Sequence, residues 1–164
     1  LARMLAGGED PRYIARRLVI LASEDVGNAD PRGLSVAVSG FQAVEIIGLP
    51  EAAITLAQVT TYLASAPKSN RSYEALNAAK AAVEKTGRLP IPKALRSAQT
   101  ALAKQLGHGK EYRYAHDGAK GWQEMQFLPE ELKGQKFYQP AERGFEKTIR
   151  QYLEWMKEPP KSDQ

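Results

Sequence analysis

Alanine crowds the stretch from Leu49 to Gly87, at positions 52, 53, 57, 64, 66, 75, 78, 79, 81 and 82, and this limits the chain more than any other feature. The spacing predicts two helices joined by the turn Ala66-Pro67-Lys68-Ser69-Asn70 and packed closely against each other, because alanine lets backbones approach. Pro50 suits the first turn of a helix, and Leu56, Val59 and Leu63 then recur on one face. Pro67 ends that helix. Ser69 or Asn70 caps the next, Leu76, Ala79 and Val83 carry its stripe, and Gly87 supplies the stop. Nothing in this hairpin is a catalyst, so its alanine faces point to packing, within a domain or between subunits.

The flanking segments extend the helical pattern. The residues before Gly7-Gly8 read as the last turns of a helix continuing from a longer chain. Asp10 is placed to cap a helix opening at Pro11, with Ile14, Leu18 and Leu21 on its apolar face, Arg12 and Arg16 on a polar edge, and an end near Asp25 to Gly27. Asp30-Pro31 repeats the device. The run that follows, through Val36, Val38, Phe41, Val44, Ile46 and Ile47, is apolar nearly all round and is expected to be central. Arg88 to Pro92 reads as an extended connection into a short helix from about Ser97 to Leu106. Between Gly107 and Phe137, glycines interleave with Tyr112, Tyr114, Trp122 and Phe127, which suggests loops pinned by aromatic side chains and a small hairpin. Leu128 to Leu132 has room for a single helical turn. Phe145, Ile149, Tyr152, Leu153 and Met156 mark a final helix from about Ala141 to Lys157, with Glu146 and Arg150 paired along it; Pro159-Pro160 stops it, and Lys161 to Gln164 are expected to fray. The expected fold is therefore all-α, about six helices in one domain over residues 1–164, with 1–30 continuing from a preceding helical region and 31–164 forming the main body.

With 164 residues and no cysteine, the chain folds on a core alone and excludes thiolate catalysis and thiolate zinc sites. Without cysteine it needs no oxidising compartment, so a cytoplasmic setting is expected, and no apolar run reaches the length of a membrane span. Residues 1 to 86 carry nine Lys/Arg against nine Asp/Glu, whereas residues 87 to 164 carry fourteen against ten, so the net +4 resides in the second half. Between Arg88 and Arg113 six cations (Arg88, Lys93, Arg96, Lys104, Lys110, Arg113) face one acid, Glu111. Such a segment either sits on nucleic-acid phosphates or is an ordinary solvated surface. Lys104, Lys110 and Arg113 are the candidate nucleic-acid contacts. In Lys110-Glu111-Tyr112-Arg113-Tyr114 the tyrosines either stack bases or pack beneath the loop, and packing is the expected arrangement.

Catalytic constellations are scarce. His108, His116 and Asp117 are a thin basis for a metal-dependent hydrolase, and an imidazole–carboxylate pair fastening a loop explains them more simply. Gly107-His108-Gly109-Lys110 lacks both the G-x-x-x-x-G-K-[ST] spacing and a preceding strand. The expectation is no catalytic, cofactor or metal residue within the chain.

Taken as an ordered set, Ala2-Arg3-Met4-Leu5, Gly7-Gly8-Glu9-Asp10-Pro11, Tyr13-Ile14-Ala15-Arg16-Arg17-Leu18, Ala22-Ser23-Glu24-Asp25-Val26-Gly27, Ala29-Asp30-Pro31, Ala66-Pro67-Lys68-Ser69-Asn70, Tyr114-Ala115-His116-Asp117, Leu128-Pro129-Glu130-Glu131-Leu132 and Gly144-Phe145-Glu146 resemble the segment that follows the ATPase core in the replication-associated recombination protein A family. That family includes the MgsA proteins and the Werner-helicase-interacting ATPase, relatives of clamp loaders. The resemblance implies an all-helical C-terminal domain that assembles an AAA+ motor into a homotetramer at stalled forks and DNA ends. It implies nucleoid association, and DNA and single-stranded DNA-binding protein as partners of the whole protein. ATP and magnesium would bind in the ATPase part, outside this chain, and this fragment would hydrolyse nothing. One departure, Asn28 after Val26-Gly27 where an apolar residue is common, falls on a loop and is read as neutral.

Overall fold

The computed structural model describes residues 1–158, and among them every regular element is helical. Seven α-helices follow in order: α1 (Ala2–Ala6), α2 (Pro11–Leu21), α3 (Arg32–Ile47), α4 (Ala52–Ser65), α5 (Arg71–Thr86), α6 (Ala101–Gln105) and α7 (Glu146–Lys157). Short 3-10 turns at Lys93–Leu95, Ala115–Asp117 and Glu130–Leu132 punctuate the long stretch before α7. The expected hairpin in that stretch is not formed: no strand occurs among the described residues. Four glycines with positive φ in that stretch, Gly107, Gly109, Gly121 and Gly134, turn the backbone too often for a ladder to extend.

The described chain falls into two compact units, one made of residues 1–77 and 138–152, the other of 78–137 and 153–158. In the first, α2, α3 and α4 pack on one another. Ile14 and Ala15 of α2, Val44 of α3, and Ala52 and Leu56 of α4 form one core cluster, with Leu1, Met4, Leu5, Leu18 and Phe41 against it. A second joins Ala22, Val26, Ala37, Val59 and Leu63. The stripe Leu56, Val59, Leu63 is thus buried where its periodicity put it.

α3 is central, but with its small side turned inward. Gly33, Ala37, Gly40 and Val44 are its buried positions, while Leu34, Val38, Ile46 and Ile47 are exposed, Ile46 at 84%. The reason is close approach: a Cβ on Gly40 would stand 2.4 Å from Cγ2 of Val59, so α3 and α4 meet at a separation only glycine allows.

α4 and α5 do not form the expected close pair. α4 lies on α2 and α3, and α5 has no buried residue along its sixteen positions. Leu76 and Val83, expected as an inward stripe, are 53% and 61% exposed.

Capping follows the sequence more closely. Asp10 accepts the Arg12 backbone N–H at 2.8 Å, starting α2 at Pro11. After Leu21 the helix loosens into a π-type turn, Ala22–Val26, and Gly27 at φ +51° ends it. Lys68 donates to the carbonyls of Leu63 (2.7 Å) and Ala64 (3.3 Å) at the end of α4. The short helix after Arg96 begins at Ala101, four residues later than predicted, where Thr100 accepts from the Ala103 N–H. α7 begins at Glu146 rather than Ala141. The predicted stop at Pro159-Pro160 and the fraying of Lys161 to Gln164 lie outside the described residues.

Candidate functional site

Three surfaces need explaining: a polar junction in the first unit, the uncovered helix α5, and the basic segment of the second unit.

The junction is built by three separated stretches. Phe145 N–H donates to Ala29 O at 2.7 Å, and Ser69 N–H donates to Asp25 O at 2.7 Å. Gly144, at φ +54°, passes so near that a Cβ there would stand 2.1 Å from Ala29 O and 2.8 Å from Cγ of Pro67. The turns Ala29-Asp30-Pro31, Ala66-Pro67-Lys68-Ser69-Asn70 and Gly144-Phe145-Glu146, distant in sequence, therefore meet in one place. They line an apolar depression of about 550 Å³ between Ala29, Asp30, Pro31, Arg32, Pro67, Gly144 and Phe145.

Glu146 is fully buried at its centre. Its carboxylate accepts from Ser69 Oγ (2.7 Å), from the Tyr138 hydroxyl (2.9 Å) and from the Ala141 backbone N–H (2.7 Å). Asn28 donates from Nδ2 to Tyr138 and to Ser72 Oγ, both at 3.2 Å, so the departure read as neutral is tied into the network. The expected Glu146–Arg150 pair is replaced: Arg150 meets Glu142, and Glu146 turns inward. Burial, with help from the Glu146 carboxylate, pushes the Tyr138 hydroxyl above its ordinary value. Asp30, also buried, accepts from the Tyr62 hydroxyl at 2.7 Å and from Arg32 at 3.1 Å. Burial alone would raise Asp30, but the Tyr62 and Arg32 donors outweigh it and hold the carboxyl below 3.8. Among the described residues no buried side-chain oxygen or nitrogen lacks a hydrogen-bond partner, and both carboxylates here are held by the fold, which makes this a lock rather than a reaction centre. Glu146, Tyr138 and Asn28 were missed as a set because only the fold brings them together.

In the second unit the basic segment lies open. Lys104 sits on α6, Lys110 and Arg113 on the loop after it, and all three are exposed. Tyr112 and Tyr114 are 53% and 55% exposed, so the expected packing beneath the loop is overturned. Gly107, Gly109 and Glu111 all take positive φ, so the loop before the tyrosines turns repeatedly instead of running as a regular element. The rings of Tyr114 and His116 lie 5.1 Å apart, centre to centre. Among the described residues no three His, Asp or Glu side chains gather as a metal group, so His108, His116 and Asp117 are not assembled into one. No described helix is long and apolar enough to cross a membrane.

A family model described as MgsA AAA+ ATPase C terminal matches residues 1–157. The chain belongs to that family. Replication-associated recombination protein A of Coxiella burnetii is 48% identical over 156 residues, covering 94% of this chain and 36% of that protein. Its namesake in Haemophilus influenzae is 44% identical over 162 residues, covering 98% and 36%. That of Escherichia coli is 42% identical over 158 residues, covering 96% and 35%. The chain thus spans about a third of the length of the curated relatives it matches. As a member of the MgsA C-terminal family it is the part of an AAA+ ATPase that lies beyond the nucleotide-binding motifs, and G-x-x-x-x-G-K-[ST] does not occur in its sequence.

Proposed function

We propose that this chain joins copies of itself, as a homotetramer, and so assembles an AAA+ ATPase that maintains replication forks and acts in recombination and repair. The observation that carries the reading is α5. An isolated sixteen-residue helix is marginal in water, and helices in proteins draw most of their stability from packing. No residue of α5 is fully buried within the chain, and it presents Tyr73, Leu76 and Val83 at helical spacing amid alanines that permit close approach. A neighbouring subunit supplies the missing cover, in an interface that for obligate assemblies commonly exceeds about 2,000 Å². The relatives' names, which speak of replication and recombination, support the cellular setting, in the cytoplasm at the nucleoid. ATP with magnesium would be handled by the motor, and single-stranded DNA-binding protein would be met by the assembled whole. Light scattering of the purified chain tests the assembly: a tetramer is expected, and a monomer at micromolar concentration would refute it.

A second reading is favoured by the outward tyrosines among six cations: the segment from Arg88 to Arg113 binds DNA. Affinity should then fall steeply with salt, and charge reversal at Lys104, Lys110 and Arg113 should abolish it.

A further inference from the structure

The loop Gly107-His108-Gly109-Lys110 has no place in a nucleotide-binding P-loop, but the structure gives it another use. Gly109 N–H donates to Lys93 O at 2.9 Å and clamps the loop onto the turn at Lys93–Leu95. Only glycine fits there, since Gly109 has φ +68° and a Cβ would meet that of Ala98 at 3.0 Å. The clamp sets Lys93 and Lys110 on the wall of one depression of about 480 Å³, within the size range of small-molecule sites. Its apolar lining is Pro92, Ala94, Leu106 and Met125. Gln105, Gln126 and Glu111 supply the remaining polar groups, with Gln126 fixed by its donation to Leu128 O at 2.7 Å. Glu111 is the one described non-glycine residue with positive φ, at +71°, a conformation that costs energy and is frequent at binding sites.

We infer that this depression holds one nucleotide unit, its phosphate between Lys93 and Lys110 and its base or sugar against Leu106 and Met125. Two cations with no ion-pair partner among the described residues suit a phosphate. The apolar floor suits the face of a base, which stacks regardless of sequence. The Glu111 carboxylate accepts from an amino group or a sugar hydroxyl and repels a ligand that is anionic throughout. The same chemistry is offered by a free nucleotide and by one unit of a single strand. This inference rests on the DNA-binding reading and narrows it to a site.

The test is fluorescence anisotropy of a labelled oligo-thymidylate with the full chain, with thymidine monophosphate as competitor. Leu106→Trp fills the depression without changing charge, and Leu106 is exposed enough for the larger ring to leave the packing intact. Leu106→Trp and the pair Lys93→Gln/Lys110→Gln should each weaken strand binding about tenfold, the loss of one stacked, phosphate-held base. Lys104→Gln/Arg113→Gln, outside the depression, should lower the salt slope and spare monophosphate competition. Competition by the monophosphate supports a site that accepts a free nucleotide, and sensitivity to Leu106→Trp without competition assigns it to the strand. If Leu106→Trp binds like the parent while every charge change weakens binding alike, the site is wrong and diffuse phosphate contact remains. If the parent chain binds no strand at all, the DNA-binding reading falls with it.

Discussion

Glu146 and Gly144 sit two residues apart and fail in different ways when changed. Glu146→Ala leaves the Ser69 and Tyr138 hydroxyls and the Ala141 N–H without their acceptor, each unmet buried donor costing about 1–3 kcal/mol. The net loss should be at least about 3 kcal/mol, visible as a lower urea midpoint with unchanged slope. Gly144→Ala instead drives a Cβ into Ala29 O, and should cost a similar amount through displaced backbone. A melting temperature within a degree or two of the parent for either variant would contradict the lock. Asp30 adds a pH dependence whose sign follows from its depressed carboxyl. Its stabilisation is complete above about 3.8, the unfolded value, and is lost as pH falls through the lower folded value. Tyr62 and Tyr138 are raised above 10.0, by the Asp30 hydrogen bond and by burial respectively, so their contribution holds below pH 10 and fades above it. Thermal melts should therefore decline at both extremes, and Asp30→Asn should flatten the acid arm and remove the Tyr62 share of the alkaline arm, leaving that of Tyr138.

Among the elements, α5 is the one on which the proposed assembly rests. Leu76→Glu with Val83→Glu should dissociate the oligomer, read by light scattering, while the helical circular dichroism of the subunit is retained because neither residue is buried within it. The helices themselves were legible from their punctuation: Asp10-Pro11, Asp30-Pro31, Pro67 and Gly87 bound α2 to α5, and the Leu56, Val59, Leu63 stripe is a core stripe. Orientation was harder to read. In α3 the run is apolar nearly all round and so names no inward face; Gly33 and Gly40 allow a nearer approach than any leucine, and the small face turned inward. In α5 Leu76 and Val83, expected as an inward stripe against α4, stand exposed, since the spacing of an apolar face does not say what covers it. The lock at Glu146 was invisible for a related reason: a buried carboxylate and an exposed one look alike until Ser69 and Tyr138, 77 and 8 residues away, are beside it.

For the molecule as a whole, charge and cover are unevenly shared. Apart from Leu132, no residue among 78–137 and 153–158 is buried, and Ile91, Leu102, Leu106 and Phe127 stand in solvent beside the cations. A unit so thinly packed should be the first to exchange amide hydrogens, with protection highest in α2, α3 and α4; assembly or a bound strand should slow the exchange of 78–137. Charge reversal of Lys104, Lys110 and Arg113 should leave the melting of the first unit unchanged, because all three are exposed and lie in the second.

The first unit takes in residues 138–152, and with them the acceptor that fastens Ser69. A nascent chain emerging from the ribosome reaches α4 long before that acceptor is made, and translation at about 5–20 residues per second leaves seconds in between. Products of interrupted synthesis would keep Ser69 and Tyr138 unlatched and would be open to proteases. Synthesis as far as Glu146 thereby becomes a checkpoint for the maturation of this unit.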